Sequence, residues 1–100
     1  MKTPLNKGGV MIELVQIRKS SSSFELSTIF INPKHIVYLS EDRVYKGYLK
    51  EGKIKLGLNM QTVFTKLKVF EGSGTKEFTI VGDPRSVQDK LVNTKRLLRD

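Results

Sequence analysis

The side chains in this chain best suited to chemistry are lysines. Between Arg43 and Phe70 lie Arg43, Lys46, Lys50, Lys53, Lys55, Lys66 and Lys68, seven of the chain's 18 Lys and Arg residues, against the single acid Glu51. Two aromatics, Tyr48 and Phe64, are interleaved with them. Ammonium groups hold phosphates, and aromatic rings stack unpaired bases. The expectation is a nucleic-acid-binding surface made of Lys46, Tyr48, Lys50, Lys53, Lys55, Phe64, Lys66 and Lys68, preferring RNA to DNA. A secondary basic strip, Lys95, Arg96 and Arg99, follows near the C-terminus.

Other chemistry finds little support. The one histidine, His35, stands in a turn beside Pro33 and Lys34, with no cysteine or second histidine to complete a metal site. A small ribonuclease working through His35 with Lys34 or Tyr38 is the only enzymatic alternative. The carboxylates of Glu41 and Asp42 are adjacent, so on a strand they point to opposite faces and cannot share acid–base work. Gly72-Ser73-Gly74 reads as a hairpin loop between strands, not a phosphate-cradling loop, because no helix follows it. The expectation is a non-enzymatic protein with no metal and no cofactor.

The basic stretch reads as strands. Glu51-Gly52 would close a two-residue hairpin turn, with Gly52 supplying positive φ and Lys50 facing Lys53. Leu49 then faces Ile54, Gly47 faces Leu56 and Tyr45 faces Leu58, leaving the lysines on the other face. A second turn at Met60-Gln61 sets Lys55 against Lys66, Lys53 against Lys68 and Gly57 against Phe64. A third, Glu71 to Gly74, sets Leu67 against Phe78 and Thr65 against Ile80. Like charges directly opposite are destabilising, so such a face would gain from a polyanion.

The remaining elements follow from composition and punctuation. One hundred residues allow one domain with a modest core. Residues 1–9 read as a flexible leader and 10–100 as a single β-rich domain. Met11 to Lys19 and Phe24 to Ile31 read as a hairpin around the serine run Ser20 to Ser23. Asn32 to His35 is a turn and Ile36 to Leu39 a short strand. Lys76 to Gly82 is the last strand. Asp83-Pro84 then announces a helix over 84–98, with Asp83 capping it and Val87, Leu91 and Leu98 at helical spacing. The fold class expected is mainly β within α+β: about seven antiparallel strands in meander order, barrel-like, with one C-terminal helix.

The segments MIELVQIRK, FINPKHIVYLSED and TVFTKLKVFEGSGTKEFTIVGDPRSVQDKL together resemble the small flagellar FlbD-type proteins. The shared features are a Met-Ile-x-Leu opening strand, an Asn-containing strand start, a Thr-rich strand, a glycine turn and a final short helix. The resemblance covers residues 11–39 and 62–92, and leaves Arg43–Met60 as an insertion holding most of the charge. It implies a β-rich fold and a protein-interaction regulator. In style the chain is also similar to small basic phage proteins that act on host machinery. An alternative to nucleic-acid binding is therefore a basic face that meets an acidic protein. A pI near 9.9 suits either polyanion. Zero cysteines and no apolar run long enough for a span predict a cytoplasmic protein without a membrane segment, and its sheet edges predict a homodimer.

Overall fold

The computed structural model describes residues 11–99, and side chains through residue 92. The expected leader, 1–9, lies outside the described residues. Five antiparallel strands form one sheet: β1 (Ile12–Lys19), β2 (Phe24–Ile31), β3 (Ile36–Glu41), β4 (Phe64–Glu71) and β5 (Gly74–Val81). A 3-10 turn, Pro33–His35, precedes β3, with the Asn32 side chain accepting from Lys34 N. Two helices complete the fold, α1 (Arg43–Lys50) and α2 (Pro84–Arg99).

Strand order is β2-β1-β5-β4-β3. The chain therefore builds a β1–β2 hairpin and a β3–β4–β5 meander, and joins them by placing the last strand beside the first. That joint is short: only Gln16↔Ile80 and Ile17↔Thr79 pair across it. The sheet is open, with β2 and β3 as edges, so the expected seven-strand barrel-like meander is corrected to five strands and a second helix.

Period-two alternation puts the two hydrophobic cores on opposite faces. On one face Ile12, Leu14, Ile31, Leu67, Val69 and Ile80 pack with Val87 of α2, and Leu91 lies against them. On the other face Ile17 and Phe64 pack with Leu49 of α1 and Ile54 of the following loop. Helix α2 starts as its sequence dictates. Asp83 Oδ1 accepts from Ser86 N at 2.7 Å, and Asp83 O accepts the first helical bond from Val87 N. The backbone N–H of Ser86, and after it the Ser86 side chain, hold the exposed Asp83 carboxyl below its ordinary pKa.

The expected hairpin over Arg43–Met60 does not form. Asp42, 3% exposed, caps α1, accepting from Val44 N and Tyr45 N, and its second oxygen accepts from the Thr79 hydroxyl at 3.0 Å. Tyr45, Tyr48 and Leu49, at i, i+3 and i+4, turn inward. Gly52 has the positive φ (75°) that the hairpin reading required, but uses it to end a helix. Lys53 N bonds Tyr48 O and Gly52 N bonds Leu49 O, the paired bonds of a Schellman cap. The alternation Tyr45, Gly47, Leu49 fits period two, while Tyr45, Tyr48, Leu49 fits period 3.6. The buried cap and the aromatic contacts decide between them.

Candidate nucleic-acid interface

The face of the sheet that carries α1 also carries most of the candidate residues. On β4, Phe64, Lys66 and Lys68 alternate with the inward Thr65 and Leu67. Phe64 is fully buried under α1, with its ring 6.1 Å from that of Tyr45. It is therefore a core residue, and its expected place over Gly57 as a stacking surface is corrected. Tyr48 is half-buried, 5.3 Å from Phe24 and 5.5 Å from Tyr45, with Lys53 Nζ 5.8 Å from its ring centroid.

The lysines divide into three groups. Lys46 is structural: its ammonium donates to Met60 O at 3.1 Å and Thr62 O at 2.8 Å, stapling α1 to the returning loop. Lys50, Lys53 and Lys55 are exposed at the end of α1 and on the loop beyond it, where Lys53 meets Glu51 at 3.2 Å. Lys66 and Lys68 stand half-buried on β4. Their expected partners Lys55 and Lys53 are loop residues. Lys66 instead lies between Thr79 and Ser40, and Lys68 between Glu77 and Tyr38. The expected like-charge ladder is absent. Lys68 is 3.8 Å from Glu77, so its neighbour attracts it. The secondary strip Lys95, Arg96 and Arg99 falls on α2, with side chains outside the described residues.

Sequence reasoning named Tyr38 only beside His35 in the ribonuclease alternative and left it out of the nucleic-acid surface. This residue is 43% exposed on edge strand β3, with Lys68 Nζ 5.4 Å from its ring centroid and its hydroxyl 3.4 Å from Glu77 Oε2. No local signal marked it, because Ile36 to Glu41 does not alternate and its register shifts between Ile36 and Tyr38. His35, the histidine of the ribonuclease alternative, is exposed in the 3-10 turn.

The phenol of Tyr45 lies on the same face as the lysines. Burial pushes the Tyr45 phenol above its ordinary pKa, and the Asp42 carboxylate and Tyr48 add to that, while a hydrogen bond with the Lys19 backbone opposes it. No group of three or more His, Cys, Asp or Glu among the described residues could hold a metal ion. No described helix is long and apolar enough to cross a membrane. Neither a family model, nor a curated protein, nor a solved structure matches the chain.

Proposed function

We propose that the protein is a non-enzymatic nucleic-acid-binding regulatory module that prefers single-stranded RNA. The observation that carries this reading is one of placement. Lys66 and Lys68 of β4 share a side of the sheet with α1 and its loop, which bear Lys50, Lys53 and Lys55, and with Tyr38. Phosphates would be held by lysines from these three elements, and Tyr38, polarised by Lys68, offers an unpaired base a ring on which to stack. The preference for RNA rests on that exposed ring, because bases are available for stacking where a strand is unpaired.

The test is fluorescence anisotropy with a short oligouridylate across a salt series. Three phosphate contacts would give a log–log slope of about −2. Lys66→Glu with Lys68→Glu should weaken binding at least tenfold, about 1.4 kcal/mol. Tyr38→Ala should weaken it by about 1 kcal/mol or more. Undiminished binding in both variants would move the interface elsewhere.

A second reading, a protein-interaction regulator of the kind the flagellar resemblance implies, draws on a different observation. Val15, Leu26 and Phe30 are exposed on β1 and the edge strand β2, and the register puts them on one face. A second copy packing face to face over this patch would cover them. Light scattering that gives a dimer mass, lost in Phe30→Lys, supports this reading.

A further inference from the structure

The joint between β1 and β5 ends where its register could continue. After Ile17↔Thr79 the next partners would be Arg18 with Phe78 and Lys19 with Glu77, yet neither pair forms. The strands part there around a cavity of about 470 Å³, lined by Gln16, Arg18, Lys19, Tyr45, Lys76, Glu77 and Phe78 among others. Tyr45 reaches it from α1. The volume lies within the range of small-ligand sites.

The charges of this cleft are unevenly satisfied. Arg18 pairs with Glu25 across the hairpin. Glu77 is engaged by Lys68 and by the Tyr38 hydroxyl. Lys19 and Lys76 are exposed, and among the described residues neither has a carboxylate within ion-pair distance. Lys76 Nζ rests 5.2 Å from the Phe78 ring centroid. The cleft therefore presents two strand edges, an excess of positive charge, and one uncompensated lysine on each face of the sheet. By alternation Lys19 shares a face with Ile17, on the α1 side, and Lys76 shares a face with Ile80, on the α2 side.

We propose that this cleft is a binding site for an extended acidic peptide, which adds a strand between β1 and β5. Parted strand edges offer both N–H donors and C=O acceptors. A peptide backbone matches both, whereas the phosphodiester linkage has no N–H to give the carbonyls. Consecutive side chains of an inserted strand point to opposite faces. The recognised element is accordingly two adjacent acidic residues, one meeting Lys19 and the other Lys76. Partner and surface differ from those of the nucleic-acid reading, so either can fail without the other.

The experiment is a titration of the 15N-labelled full chain with the acetylated, amidated hexapeptide Thr-Val-Glu-Glu-Val-Thr. The expected result is saturable shifts and slowed exchange at the amides of Arg18, Lys19, Lys76 and Glu77. Lys19→Glu with Lys76→Glu should weaken binding at least tenfold, and the glutamine pair Lys19→Gln with Lys76→Gln by a smaller factor. Both positions are exposed, so circular dichroism should report an unchanged fold. A peptide with Lys-Lys in place of Glu-Glu should not saturate. The proposal is overturned by no saturation at the cleft, or by shifts confined to Lys50, Lys53, Lys55 and Lys66, which would mean loose association with the basic face. It is equally overturned if oligouridylate displaces the peptide while shifting the same cleft amides, since the cleft would then belong to the nucleic-acid interface.

Discussion

The core under α2 and the core under α1 lie on opposite faces of one sheet and are built differently. Under α2 the side chains are mainly aliphatic and come from regular elements: Ile12, Leu14, Ile31, Leu67, Val69 and Ile80 from strands, Val87 from the helix. Under α1 a chain of aromatics, Phe24, Tyr45, Tyr48 and Phe64, is closed by Ile54, Leu56 and Leu58 from a loop with no regular structure. The loop is held by side-chain bonds to backbone, chiefly Lys46 to Met60 O and Thr62 O, and Asn59 Oδ1 from Gln61 N. One core is set by strand alternation, the other by specific polar contacts. The basic surface rides on the second.

The largest expected effect comes from emptying the α1 core. Phe64→Ala should cost about 3–5 kcal/mol in denaturant unfolding, because a fully buried ring leaves a cavity. Leu14→Ala should cost about 2–5 kcal/mol in the other core. The comparison sharpens in the binding assay: under conditions where both variants stay folded, Phe64→Ala should weaken oligouridylate binding and Leu14→Ala should leave it intact. Equal loss in both would mean that the two cores are one cooperative unit for the basic surface.

Asp42→Ala comes next. It removes the α1 cap and leaves the Thr79 hydroxyl without its acceptor, so about 2 kcal/mol is expected. Asp42→Asn, which keeps an acceptor oxygen, should cost less. A thermal melt in which Asp42→Ala resembles a surface substitution would remove the link between α1 and β5.

Smaller still is a pair of glycines whose signs distinguish helix from hairpin. Gly47 lies inside α1 with open space where a Cβ would sit, so Gly47→Ala should stabilise by about 0.5–1 kcal/mol. Gly52 has φ 75° at the helix end, so Gly52→Ala should destabilise by about 1 kcal/mol. Chemical denaturation showing no gain at Gly47 would argue against the helix.

The smallest effect belongs to α2. The folded Asp83 carboxyl is held below its ordinary pKa by Ser86, so its contribution is present above the unfolded value, about 3.9. That contribution is lost as pH falls through the folded value. The stability difference between the native chain and Asp83→Asn should be flat near neutrality and shrink in acid. A difference that grew as pH fell would contradict the cap.

Where local signals were unambiguous, the sequence sufficed. Strand β2 spans Phe24–Ile31 as its alternation says, and the pairing of Leu67 with Phe78 and Thr65 with Ile80 follows from the glycine turn alone. The start of α2 follows from Asp83-Pro84, whose cap and fixed φ need no distant partner. Arg43–Met60 was not legible in this way. Its apolar residues fit both periods, its glycine serves both a hairpin and a helix cap, and Asp42 is distinguished from an ordinary strand end only by Thr79, 37 residues away. The same distance effect hid the parted joint, since nothing near Lys19 announces that β5 will lie beside it. Sequence by itself determined which residues are cationic and which strands pair across the serine and glycine turns. Only the tertiary structure decided which face each cation occupies, because that depends on a helix whose formation is settled by contacts with strands far along the chain.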